Sequence, residues 1–113
     1  MTDLAGIETL DFDFHGVRPV GAFAPVRVGD LEAGRMELLL EPDASLGNGC
    51  HVQVRTTTHG NQATWLAMLD QFHQRHPLSG VRISITDRGA APAVVSLHLE
   101  QAVERLPLPG RPG

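Results

Sequence analysis

The chain has no lysine and no tyrosine; all nine of its basic residues are arginine. Without lysine there is no Schiff-base chemistry and no lysine general base. A single cysteine, Cys50, excludes an internal disulfide and any multi-thiolate zinc or iron–sulfur site. Basic residues do not predominate: nine against thirteen acidic ones leave a net charge of -4, so no general basic field recruits nucleic acid. No apolar run approaches the ~18 residues of a membrane span, and the N-terminus lacks the basic flank of a signal peptide. Hydroxyls are scarce as well. There are four serines, Ser45, Ser79, Ser84 and Ser96, and neither Ser nor Thr occurs between Thr9 and Ser45.

What remains is an ordinary globular balance, 42% hydrophobic and 19% charged in 113 residues, enough for one core. We expect a single cytoplasmic domain over 7–106, with flexible termini at 1–6 and 107–113. Leu10, Phe12 and Phe14 alternate with Asp11 and Asp13, which predicts a half-buried strand. Val20 to Val28, interrupted by Gly21 and Pro25, suits an edge strand. Met36 to Glu41 is a short aliphatic run stopped by Pro42, and Val52, Val54 and Thr56 alternate beyond the loop 43–49. That spacing suggests an antiparallel hairpin.

Trp65, Met68, Leu69 and Phe72 fall at i, i+3, i+4 and i+7, one stripe of a helix expected over about 62–75. Asn61 is its predicted N-cap and Pro77 its terminator. Val81, Ile83 and Ile85 predict a further strand, and Val95, Leu97 and Leu99 a final one. The expected class is α+β, a small antiparallel sheet with one main helix packed on it through Trp65, Met68, Leu69 and Phe72.

Candidate chemistry is thin. His73 and His76 lie at i, i+3, but no third metal ligand accompanies them, so a solvated surface is expected there and no metal site. Cys50 and His51 are adjacent on a strand and so face opposite ways, which leaves Cys50 a small buried hydrophobe. Gly47-Asn48-Gly49 lacks the third glycine and following helix of a phosphate loop. The acidic pairs Asp11/Asp13 and Glu32/Glu37 read as solvated faces. Asp43-Ala44-Ser45-Leu46 is not the Asp-Ser-Leu of a helical phosphopantetheine carrier, because an extra residue intervenes and glycines replace the helix.

Four segments in order resemble another family. They are Ile7 to Phe14; Glu37-Leu38-Leu39-Leu40-Glu41-Pro42; Val52 through Thr56-Thr57-Thr58-His59-Gly60 to Trp65; and Ile85-Thr86-Asp87-Arg88-Gly89-Ala90-Ala91-Pro92 through Leu99-Glu100-Gln101-Ala102. Together they are similar to the delta, or acyl-carrier, subunit of biotin-independent malonate decarboxylase, across about 7–105. The resemblance implies a non-catalytic carrier that presents a thioester on a phosphoribosyl-dephospho-coenzyme A arm to acyl-transferase and carboxy-lyase subunits. The charge balance and the short apolar runs lead us to expect no nucleic-acid or membrane partner.

The family attaches that arm to the serine of a Gly-Ser-Gly-Asp-Leu-Glu stretch. Aligning on Gly29-Asp30-Leu31-Glu32 puts Val28 at the serine, and aligning on Glu37 to Pro42 puts Ala33 there. Neither forms a phosphodiester, so no arm is expected on this chain. Ser45 is the fallback hydroxyl, and a turn serine bonding its own backbone is its plainer reading. Two functions stay open: a carrier-like subunit, or an interaction subunit that keeps the fold without the arm. The loop residues Asp87, Arg88, Gly89 and Pro92 are the candidate partner-binding set, with a tight turn at Gly89 as the structural alternative.

Overall fold

The computed structural model describes residues 6–107. The chain runs β1 (Glu8–His15), β2 (Arg18–Pro19), β3 (Val26–Asp30), the single turn α1 (Leu31–Gly34), β4 (Met36–Pro42), a 3-10 turn (Ala44–Leu46), β5 (Gly49–Thr56), α2 (Gln62–Arg75), β6 (Leu78–Ser79), β7 (Val81–Asp87) and α3 (Pro92–Glu104). Five strands form one sheet in the order β1-β5-β7-β4-β3, and β2 pairs with β6 alone.

Register explains the core. Phe12, Val52, Ile83, Leu40 and Val26 are neighbours in one row across all five strands, and Leu10, Val54, Ile85, Leu38 and Val28 in the next. All ten are buried. Alternation puts their neighbours on the other face, which carries Asp13, His51, Arg82 and Glu41 in one row and Thr9, Arg55, Thr86 and Glu37 in another. The helices cover the apolar face, α2 against β1 and α3 against β3 and β4. The helix at 62–75 has the bounds its stripe predicts, with Trp65, Leu69 and Phe72 buried and Met68 half-buried. Burying such side chains contributes about 1.5–3 kcal/mol each.

The α+β class stands, but several details differ from expectation. The sheet is mixed, because β5 and β7 run parallel. β4 and β5 do not form a hairpin: β7 inserts between them, entering by a crossover through α2. The segment Val94–Leu99 is not a strand. It lies inside α3, a second long helix, where Val95, Leu99, Ala102 and Val103 are buried and Leu97 stays 55% exposed. The second expected strand contracts to Val26–Asp30, and it does lie at the sheet edge. Asn61 occupies the N-cap position without a side-chain capping bond. Leu106, the last residue of the expected domain, is buried in the core; residues 1–5 and 108–113 of the expected termini lie outside the described residues.

Candidate functional site

Met36 pairs with Asp87, and at the other end of the same two strands Pro42 pairs with Val81. The sheet therefore has two ends, separated by six residue steps or about 20 Å. At the first end three connections meet: the β3–β4 turn at 31–35, the β7–α3 loop at 88–91 and the β5–α2 loop at 57–61.

The β3–β4 turn is made by its flanking residues. Asp30 accepts bonds from the backbone nitrogens of Glu32 (2.8 Å) and Ala33 (3.2 Å), which winds α1. Arg35 then takes a left-handed conformation, φ +63°, that lets the chain re-enter as β4. Such a conformation costs a side-chain-bearing residue about 1–2 kcal/mol. Ala33 is exposed within this turn, whereas Val28 is buried on the inner face of β3. A group attached at position 28 would have to displace core; one at position 33 would project into water.

Asp87 joins the three connections. It is only 3% exposed, and its carboxylate accepts from the Thr56 hydroxyl at 2.8 Å and from the Ala90 backbone nitrogen at 2.9 Å. Thr56 in turn accepts from the nitrogen of Thr58 at 3.0 Å, and the Asp87 carbonyl accepts from the nitrogen of Thr57 at 3.1 Å. The Arg88 nitrogen donates to the Arg35 carbonyl at 2.7 Å, which ties the loop to the turn bearing Ala33. Of the four candidate partner-binding residues, Arg88, Gly89 and Pro92 are exposed and Asp87 is not. Gly89 has φ +96°, so the structural alternative of a turn that requires glycine is also present. Pro92 opens α3 at its first turn, where a missing N–H costs nothing.

Ser45 lies at the opposite end. Its hydroxyl donates to the Asp43 carboxylate, not to its own backbone, and Asp43 is also held by Arg82 at 2.9–3.0 Å. Those bonds, the Ser45 hydroxyl first and then Arg82, keep the Asp43 carboxyl below its ordinary range despite some desolvation. A cleft of about 570 Å³ near this loop is lined by Pro, Ala and Gly with Ser79 and Asp43, whose carboxylate is engaged by Arg82 and Ser45.

The remaining candidates are structural. Cys50 is buried, and desolvation, helped by the charge of Asp13, pushes its thiol up to about 12. A thiol so placed is neither nucleophile nor ligand at neutral pH. His51 lies on the other face and contacts Asp13 (2.7 Å) and Asp11 (3.1 Å) through its two ring nitrogens. Those carboxylates thus fasten β1 to β5. Glu37 pairs with Arg27, while Glu32 is exposed on α1. His73 is buried, contrary to its expected solvation: it stacks on Phe14 and its Nε2 donates to the His15 carbonyl at 2.8 Å. His76 is half-buried against Glu100 at 2.8 Å. Among the described residues no three His, Cys, Asp or Glu side chains converge as a metal set, and no helix is long and apolar enough to cross a membrane.

The domain thus sets an exposed turn beside a loop braced by Asp87 at one end of its sheet. The chain belongs to the malonate decarboxylase delta subunit (MdcD) family, whose model matches residues 24–106. It is 54% identical over 97 residues to the malonate decarboxylase acyl carrier protein of Burkholderia cepacia, covering 86% of this chain and 88% of that one. It is 50% identical over 110 residues to that of Stenotrophomonas maltophilia (strain K279a), covering 94% and 99%. The fold is similar to a chain in the crystal structure of a Pseudomonas malonate decarboxylase hetero-tetramer in complex with malonate. The TM-score is 0.75 at 33% identity, over 86% of this chain and 96% of that one.

Proposed function

We propose that this chain is the delta-type, acyl-carrier-like subunit of a malonate-decarboxylase-type complex, non-catalytic and cytoplasmic, in which Ala33 occupies the family's attachment position. The observation that carries the choice of Ala33 is its exposure in the β3–β4 turn, against the burial of Val28. A methyl group offers no oxygen for a phosphodiester. The chain then takes no phosphoribosyl-dephospho-coenzyme A arm of its own and serves the carboxy-lyase and acyl-transferase-like subunits by docking. The second reading, a scaffold subunit that keeps the carrier's docking end, is favoured by the same methyl group. Arg88, Gly89 and Pro92 would form that docking end, with Asp87 bracing them from beneath.

The test is co-expression with a cognate prosthetic-group transferase, read by intact mass. The wild-type chain is expected to keep its unmodified mass, and Ala33→Ser to gain the mass of the arm, with fragmentation locating it at position 33. An arm on the wild-type chain, mapped to Ser45, would overturn the assignment and restore a carrier that uses the opposite end of the sheet.

A further inference from the structure

On the uncovered face of the sheet, Arg55, Thr57, Thr86 and Arg88 line a cavity of about 180 Å³ together with Ile7 and Asp87. Register assembles it: Arg55 pairs with Thr86 across β5 and β7, and Thr57 and Arg88 follow those strands. The bond from the Thr57 nitrogen to the Asp87 carbonyl fixes their separation. Asp87 does not answer the arginines, because its carboxylate oxygens are engaged by Thr56 and Ala90 on the inner side. The next carboxylate in the row, Glu37, lies opposite Thr86 and is engaged by Arg27.

Neither carboxylate is therefore left to pair with the two guanidinium groups. Arg27, Arg75 and Arg82 hold Glu37, Glu100 and Asp43, while among the described residues Arg55 and Arg88 are exposed with no side-chain partner. In a chain of net charge -4, two free arginines on one small cavity with two threonine hydroxyls form a local anion site. Guanidinium forks pair with phosphate oxygens, and the two threonine hydroxyls can donate to the oxygens that remain.

We propose that this cavity binds a phosphate group, free or carried on a monoester, held by Arg55 and Arg88 with Thr57 and Thr86 completing the cradle. Since the Arg88 nitrogen is bonded to the Arg35 carbonyl, the bound phosphate would lie beside the turn that bears Ala33. The site stands on its own side chains whether or not an arm is ever attached at that turn.

The full chain is titrated with glycerol 3-phosphate, inorganic phosphate and malonate at matched ionic strength, by calorimetry and by backbone amide shifts. Saturable binding of the phosphates is expected, with shifts centred on Thr57, Thr86 and Arg88. Arg55→Ala and Arg88→Ala should each weaken it by about tenfold or more, and Arg55→Lys by less, because it keeps the charge but loses the fork. Both arginines are exposed, so circular dichroism and urea midpoints should match wild type. Tighter binding of glycerol 3-phosphate than of inorganic phosphate assigns the ester as ligand, and the reverse assigns free phosphate to the same cradle. Malonate binding more tightly than both phosphates overturns the proposal. So does binding unaffected by either alanine substitution, or the absence of saturable binding.

Discussion

The two ends of the sheet are fastened by different means. At the end bearing Ala33, a hub of side chains adds to the backbone bonds of Thr57 and Arg88: the Asp87 carboxylate gathers Thr56 and Ala90, and Thr56 gathers Thr58. At the opposite end the joints are chiefly peptide groups. Gly16 donates to the Asn48 carbonyl, Val17 and Arg18 both donate to Pro77, Asp43 donates to Gly80, and Gly80 donates to Gly49, all within 2.7–2.9 Å. A hub of side chains demands particular residues and leaves a signature; backbone joints accept almost any residue and leave only glycine as their trace. The fourth resembling segment, Ile85 to Ala102, accordingly includes the loop at the side-chain end.

Gly16→Ala attacks the backbone end and should have the largest effect. A Cβ there would stand 1.9 Å from the Leu78 carbonyl oxygen and 2.8 Å from that of Pro77. No rotamer relieves a clash with main chain, so a loss above about 3 kcal/mol in urea unfolding is expected. A loss under about 1 kcal/mol would mean that this end yields freely and the contrast fails.

Asp87→Ala attacks the other end. It strands the buried Thr56 hydroxyl and the half-buried Ala90 N–H, at about 2–3 kcal/mol. Arg88→Ala, one residue further on but exposed, should stay within about 0.5 kcal/mol of wild type. Equal losses for the two would remove Asp87 as the brace, and the loop would be held by its backbone like the far end.

Legibility followed the same division. The α2 stripe fits only a 3.6-residue period, because Trp65, Met68, Leu69 and Phe72 include adjacent apolar residues that alternation forbids. In α3 the run Val95, Leu97, Leu99 satisfies period two by accident, while the true set Val95, Leu99, Ala102 and Val103 satisfies i, i+4, i+7, i+8. Pro92 at the first helical turn was the local signal for a helix. The β4–β5 hairpin had no local contradiction at all: what separates those strands is β7, some thirty residues later, and loop length does not encode it. Asp87 looked like a docking residue because charge in a loop predicts exposure; its burial follows from strand parity with Val81, Ile83 and Ile85. Sequence likewise left Val28 and Ala33 as equals, and only the inward face of β3 separates them.

The smallest expected effect belongs to Asp43, a side-chain joint at the backbone end. Its carboxyl is held below the ordinary value by the Ser45 hydroxyl and then by Arg82, so the folded chain binds a proton there less readily than the unfolded chain. The stability it contributes is therefore complete above the unfolded value, near about 4, and is lost as pH falls through the folded one. Urea midpoints of wild type and Asp43→Asn should differ by a constant amount above about pH 5 and converge as the pH falls below about 4. Glu100 acts in the same window: desolvation raises it, but its bonds to His76 and Arg75 outweigh that and leave it lowered. Because Glu100 is present in both proteins, its share cancels in the comparison, and what converges is Asp43 alone. Acid limbs that stay parallel down to about pH 3 would show that Asp43 fastens nothing, leaving the far end to its peptide groups.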